Sequence, residues 1–108
     1  MSKPRIWISN STPQSGEIVR VRALIEHRME TGLRLGADGG LVARNIIHTF
    51  EAKLNGELLF TWLPETAISQ NPYIEFTFKA SQSGDLSLQW VDDAGEVITG
   101  NTSITLSA

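Results

Sequence analysis

The side chains best suited to chemistry in this sequence are two histidines and a methionine close to the first of them. Histidine is the commonest general base in enzymes because it titrates near neutral pH, and here only His27 and His48 could fill that role. Together with Met29 they also form a ligand set that suits a soft copper ion. Nothing in the spacing brings the three side chains together, so the sequence predicts neither a metal site nor a catalytic base.

The two histidines differ in their predicted surroundings. His48 shares the apolar phase of its segment with Phe50 and Ala52, which predicts a buried imidazole hydrogen-bonded to a neighbour. His27 ends one predicted strand and opens a long loop. We expect it to be exposed or half-exposed, and either to shape the loop or to contact a partner.

Other catalytic and metal-binding patterns are missing. The sequence contains no cysteine, which excludes thiolate nucleophiles, zinc fingers and iron–sulfur clusters. It has no Gly-x-Ser-x-Gly elbow and no phosphate-binding glycine loop. Asp92 and Asp93 are adjacent on a predicted turn that contains Gly95. Adjacent residues in a strand point to opposite faces, so the two carboxylates need not act as a pair. We therefore predict no enzyme activity, no catalytic residue, no cofactor and no metal.

Alternation of apolar and polar residues dominates the chain and predicts β-strands. It is clearest at residues 17–26, 44–54, 73–80 and 86–90, and residues 5–9, 58–63 and 97–106 complete about seven strands. The positions predicted to face the core are Val19, Val21, Ala23 and Ile25; Ile46, His48, Phe50, Ala52 and Leu54; Ile74, Phe76, Phe78 and Ala80; and Leu86, Leu88 and Trp90. Asn55-Gly56 predicts a two-residue hairpin. This spacing of strands predicts an all-β sandwich or barrel.

Two connections are longer than hairpins require, at residues 27–43 and 64–72. Long loops in compact domains are often functional. Tyr73 follows the second loop on the polar phase, where exposed aromatic side chains commonly anchor interfaces. Trp62 shares a phase with Leu58 and Phe60, so these three side chains form either an outward patch for a protein partner or part of the core.

Composition and charge limit the kinds of partner that the chain is expected to bind. The 108 residues suit one domain spanning residues 1–108, and the net charge of -3 does not favour nucleic acid. Arginines concentrate in residues 20–44 and acidic residues in 75–96, which indicates either two solvated faces or a polarised surface that orients a partner. No apolar signal segment follows residues 1–5 and no run reaches transmembrane length, so we expect no membrane contact and a cytoplasmic chain unless another protein carries it out.

Three blocks resemble a known family. Residues 27–32 read His-Arg-Met-Glu-Thr-Gly, residues 68–76 read Ile-Ser-Gln-Asn-Pro-Tyr-Ile-Glu-Phe, and residues 90–95 read Trp-Val-Asp-Asp-Ala-Gly. Their order, spacing and content are similar to those of SoxZ, a subunit of the SoxYZ sulfur carrier in bacterial thiosulfate oxidation. The resemblance covers residues 5 to 106. Arg28 departs from it, because proline is usual there and would restrict the backbone.

The resemblance implies an immunoglobulin-like β-sandwich that is not an enzyme. It implies a pairing with SoxY, as a heterodimer or heterotetramer, in which the SoxY cysteine carries sulfur intermediates among SoxAX, SoxB and SoxCD. It also implies a periplasmic location reached by export together with SoxY. The residues expected to contact SoxY or the docking enzymes are His27, Met29, Glu30, Pro72 and Tyr73.

Two other classes of function stay open at the level of sequence. One is a stand-alone immunoglobulin-like adhesion or ligand-binding module, which would be a stable monomer without SoxY. The other is a small enzyme or metal protein, which would lose an activity when His27 or His48 is replaced.

Overall fold

The computed structural model describes residues 4–63 and 72–107. This part of the chain forms seven β-strands: β1 Arg5–Ile8, β2 Ile18–Leu24, β3 Ile47–Leu54, β4 Glu57–Trp62, β5 Tyr73–Lys79, β6 Gly84–Asp92 and β7 Val97–Ile104. The predicted all-β class is confirmed, and no helix among these residues has the length and apolar character needed to cross a membrane. Of the predicted loop at 64–72, only Pro72 belongs to the described residues.

The strands pair in two antiparallel sheets, in the orders β1-β2-β5 and β4-β3-β6-β7. The chain passes from the first sheet to the second after β2, returns after β4, and passes over again after β5, which is the connectivity of an immunoglobulin-like sandwich. Alternate side chains of each strand point between the sheets. Apart from His48, every position predicted to face the core is buried.

Four aromatic rings tie the two sheets together. Phe50 of β3 is fully buried, and its ring centroid lies 4.9 Å from that of Trp90 on β6 and 6.1 Å from that of Phe76 on β5. Phe60 of β4 stacks on Phe76 at 5.2 Å. Such ring pairs add to the free energy gained from apolar burial. The cluster therefore holds the three-stranded sheet against the four-stranded sheet.

The prediction that His48 is buried was wrong, and a β-bulge explains why. Ile46 and Ile47 are both buried, whereas His48 is exposed and its Nδ1 lies 2.7 Å from the Thr49 hydroxyl. The register between β3 and β6 shifts between Ile47 and Thr49. A bulge inserts one extra residue and changes the phase of the strand, so strict alternation counted backwards from Phe50 placed His48 on the wrong face.

A second bulge separates the residues of the predicted aromatic patch. The register of β3 with β4 shifts between Ala52 and Lys53, where the facing residues are Phe60 and Leu58. As a result Phe60 and Trp62 pack against the core, whereas Leu58 is exposed. These three side chains do not share a face, so they do not form the outward patch considered for a partner.

The predicted hairpin at Asn55-Gly56 is present and is joined to a neighbouring turn. Asn55 and Gly56 have φ angles of 52° and 81°, as a type I′ turn requires. The Asn55 side chain donates a hydrogen bond to the Ser83 carbonyl at 2.9 Å and accepts one from the Asp85 amide at 3.1 Å. This turn thus fixes the start of β6, on which the Trp90 and Asp92 side chains depend.

Replacing Gly84 with alanine should lower the free energy of unfolding by about 2 kcal/mol, because the Asn55 side chain would lose its two partners. A Cβ on Gly84 would overlap the Asn55 carboxamide. Gly39→Ala is the control, since Gly39 also has a positive φ, of 83°, but a Cβ there meets nothing within 4 Å. We expect a loss of about 1 kcal/mol for the control. Urea unfolding measures both losses, and equal values would contradict a steric role for this contact.

Candidate functional site

The loop after β2 and the end of β6 meet at one end of the sandwich through a histidine–aspartate pair whose side chains are nearly inaccessible. His27 Nε2 lies 3.0 Å from Asp92 Oδ2, and the two side chains are 7% and 1% exposed. The imidazole is thus less accessible than the sequence suggested. The two residues are 65 positions apart in the chain, so their contact joins two of the three sequence blocks that carry the family resemblance.

Hydrogen bonds assign the tautomer of His27. The Met29 amide donates to His27 Nδ1 at 3.0 Å, so Nδ1 must be the unprotonated nitrogen. The proton then lies on Nε2, which donates to the Asp92 carboxylate. In this arrangement the ring bridges its own loop to β6 and presents neither nitrogen as a free base.

Asp92 has an uncommon position for a carboxylate because it is fully buried. Burial by itself raises the pKa of Asp92, but the hydrogen bonds from His27 and from the Glu96 amide outweigh it, and the pKa lies below its usual value. The Glu96 amide donates to Asp92 Oδ1 at 2.9 Å. Sequence reasoning assigned Asp92 to a solvated turn, and no local pattern identified His27 as its partner.

Asp93 lies in the turn directly after β6, and its carboxylate has different partners from that of Asp92. Its carboxylate accepts from Arg44 Nε at 2.8 Å and Nη2 at 3.0 Å, and from the Ile46 amide at 3.2 Å. The two aspartates therefore do not form a catalytic pair. Instead each one anchors a different part of the 27–46 segment to β6.

Met29 and Glu30, both predicted partner contacts, have different surroundings. Met29 is buried with a φ of 56°, and its sulfur accepts a hydrogen bond from the Ile47 amide at 3.2 Å. Glu30 accepts from Arg34 Nη2 at 2.7 Å, and the Arg34 hydrogen bond keeps the pKa of Glu30 low. Arg28, which stands where the family has proline, extends into solvent 3.6 Å from Glu30.

Pro72 and Tyr73 begin β5 next to the end of β2. Pro72 is buried and its carbonyl accepts from the Ile25 amide at 3.4 Å. Tyr73 is 50% exposed, and its hydroxyl donates to Glu75 Oε1 at 2.9 Å. The structure thus brings His27, Met29 and Glu30 together on one loop, whereas Tyr73 faces outward from the three-stranded sheet.

That outward face contains a shallow groove, here called the outer groove, of about 620 Å³. It is lined by Trp7, Ile8, Ser9, Ile18, Arg20, Arg22, Tyr73 and Thr77. Trp7 and Ile18 are 49% and 60% exposed, and together with Tyr73 they give the groove an apolar part, as interaction sites often have. The alternation predicted for residues 17–26 leaves Arg20 and Arg22 on the outward phase, but nothing in the sequence connects them with Trp7.

The acidic and basic residues that the sequence separates are brought together in space. Arg20 Nε and Arg22 Nε lie 3.7 Å and 3.3 Å from the Glu75 carboxylate, and Arg44 pairs with Asp93. Early arginines therefore pair with late acidic residues across strands and loops. Among the residues that the structure describes, no group of three histidine, aspartate or glutamate side chains could hold a metal ion.

Comparison with known families decides the relationship of the chain. The sequence matches the family described as sulphur oxidation protein SoxZ over residues 8–103. The chain belongs to the SoxZ family. Nearly the whole sequence lies within this match, which confirms the resemblance and supports a role in sulfur oxidation by the Sox system. No curated protein matches the sequence.

Solved structures share the SoxZ fold at low sequence identity. A superoxide reductase (neelaredoxin) from Ignicoccus hospitalis is 17% identical with a TM-score of 0.70, covering 98% of this chain and 81% of that one. The sulfur carrier protein SoxY from Chlorobium limicola f thiosulfatophilum is 8% identical with a TM-score of 0.66, covering 100% of this chain and 82% of that one. Likeness at these identities establishes the immunoglobulin-like fold alone.

Proposed function

We propose that this chain is the non-catalytic subunit of a SoxYZ sulfur carrier, in which it binds SoxY and supports the SoxY cysteine arm during thiosulfate oxidation. The observation that carries the proposal is the family match over residues 8–103. The complex is a SoxY–SoxZ heterodimer or a heterotetramer built from it, and it docks transiently with SoxAX, SoxB and SoxCD.

The chemistry of the chain supports a non-catalytic role. Covalent transport of sulfur needs a thiol, and this sequence contains no cysteine, so another chain must supply it. His27 and Asp92 are the pair that most resembles catalytic machinery. Both side chains are nearly inaccessible, and the two His27 ring nitrogens are occupied by Asp92 and by the Met29 amide, which suits a structural bridge.

The predicted contact residues divide by exposure. In this proposal Glu30 and Tyr73 contact the partner directly, because both have atoms at the surface. His27, Met29 and Pro72 support that contact from within, by holding the loop after β2 and the start of β5 in position. Binding energy at interfaces is concentrated in a few anchors, and tyrosine is among the commonest of them.

Co-expression with SoxY tests the proposal. We expect a stable complex at micromolar concentration, recovered in one peak by size-exclusion chromatography, because a permanent complex buries a large apolar area. We also propose export together with SoxY, so the chain should appear in periplasmic extracts only when signal-bearing SoxY is present. A monodisperse monomer that does not bind SoxY would instead favour a stand-alone immunoglobulin-like module. Catalytic turnover by the purified chain alone would contradict a non-catalytic role.

A further inference from the structure

We propose that SoxY docks on the outward face of the three-stranded sheet, centred on the outer groove, and that the docking surface of SoxY presents carboxylates around an apolar centre. This inference rests on the proposed function and assigns it a surface.

Strand register places the key side chains in a row across the sheet. Trp7 on β1 pairs with Arg22 on β2, and Arg22 pairs with Glu75 on β5. Directly opposed residues on one face of antiparallel strands lie within side-chain contact. An indole, a guanidinium and a carboxylate therefore stand side by side across the full width of this sheet.

The charge of this face differs in sign from that of the whole chain. Its outward strand positions carry four cations and one anion, a net charge of +3, against -3 for the chain: Arg5, Arg20, Arg22, Lys79 and Glu75. The outward positions of β3 and β6, by contrast, carry one cation, Lys53, and two anions, Glu51 and Asp85. A positive face on an acidic protein selects an acidic partner surface and orients it during encounter.

The two arginines of the outer groove share a single carboxylate as their ion-pair partner. Glu75 is shared between Arg20 and Arg22, whose side chains are half-exposed, and no other carboxylate in the described part of the chain pairs with either of them. Arginine binds carboxylates through several fixed donors. One anion cannot satisfy two guanidinium groups, so the site can accept further carboxylates from outside.

The apolar side chains indicate a protein surface as the occupant. Trp7, Ile18 and Tyr73 are each about half-exposed or more, and they lie around the arginines on three different strands. A small anion would contact the guanidinium groups and leave these three side chains in water. A partner surface would cover both, and tryptophan, tyrosine and arginine are the residues that most often dominate interface energy.

Two variants with matched controls test the surface. Arg22→Glu reverses a charge in the outer groove, and Lys53→Glu reverses one on the other sheet. Trp7→Ala removes a side chain that is 49% exposed, and Val97→Ala removes one that is 52% exposed on β7. Calorimetric titration with SoxY should give at least about tenfold weaker binding for the two groove variants. The controls should bind like the unaltered chain.

Salt provides a second readout. Raising the salt from about 50 mM to about 500 mM should weaken binding of the unaltered chain, since it screens exposed charges. The Arg22→Glu variant should show a smaller dependence on salt because it removes one of the charges that attracts the partner. Binding of the unaltered chain that does not respond to salt would contradict the electrostatic part of the inference.

Radical footprinting of the unaltered complex needs no variant and so covers the case in which a variant misfolds. Trp7 should lose most of its oxidation when SoxY binds, whereas the exposed Leu58 on β4 should be modified as before. If the unaltered chain does not bind SoxY, the proposed function fails. If it binds while Trp7 stays oxidisable and the groove variants keep full affinity, the proposed function stands and this docking surface is wrong.

Discussion

Replacing Phe50 with alanine should lower the free energy of unfolding by about 4 kcal/mol, the range seen when a buried phenylalanine is truncated in a close-packed core. Phe50 is fully buried and contacts the rings of Phe60, Phe76 and Trp90. Its removal leaves a cavity between the two sheets that none of these rigid rings can fill by a small movement. Because domains of this size are stable by only about 5–15 kcal/mol, this loss is a large part of the total, and we expect the thermal midpoint to fall by about 15 °C or more.

Trp7→Ala is the matched control for the Phe50 variant. Both changes delete an aromatic ring from a strand, but Trp7 is 49% exposed on the outward face. We expect a loss of about 1 kcal/mol or less, in line with surface positions outside special contacts. Urea unfolding followed by circular dichroism measures both, and a Trp7 loss as large as the Phe50 loss would overturn this account of the core.

Replacing Asp92 with alanine should cost about 3 kcal/mol, because it leaves the nearly inaccessible His27 ring N–H without an acceptor and removes the hydrogen bond of the Glu96 amide. The loop after β2 would also lose its anchor on β6, so hydrogen exchange should accelerate first at the Met29 and Glu30 amides. Asp92→Asn is the control with nearly the same shape. It keeps one carbonyl oxygen as an acceptor and should therefore lose only part of that free energy.

The pH dependence of the free energy of unfolding distinguishes the contribution of the Asp92 charge from that of the shape of its side chain. The pKa of Asp92 lies below its ordinary value of 3.8 in the folded protein. A lowered pKa means that the ionised carboxylate is stabilised by folding, so its contribution is complete above pH 3.8 and is lost as the pH falls through the folded value. Thermal unfolding between about pH 5 and pH 2 should show a shallower decline for Asp92→Asn than for the unaltered chain. Parallel curves would contradict this assignment.

Most of the strand architecture could be predicted because strand periodicity and turn chemistry are local. The alternation in residues 17–26 and 73–80 placed β2 and β5 with their correct inward faces. Asn55-Gly56 formed the predicted hairpin, since these two residue types tolerate the positive φ angles that a type I′ turn needs. Bulges interrupt this rule without a clear local signal, which is why His48 was assigned to the core.

The candidate site was harder to predict because it depends on pairs that are distant in the chain. The sequence predicted a more accessible side chain for His27 and placed Asp92 in a turn. In the structure, the pairing of β3 with β6 brings the loop after β2 onto the end of the sheet, where the two side chains meet. The outer groove was missed for the same reason. Trp7 and Arg22 become neighbours only when β1 pairs with β2.

The chain alone therefore settles the β class, most of its hairpin and strand positions, the membership in the SoxZ family and the lack of a thiol, because each follows from residue types and their order. Sheet pairing decides which side chains meet and which are exposed, and it produces the His27–Asp92 bridge, the exposed His48 and the cationic face around Trp7. The physical reason is that strand register and bulges reflect the packing of the whole sandwich, which no short stretch of residues encodes.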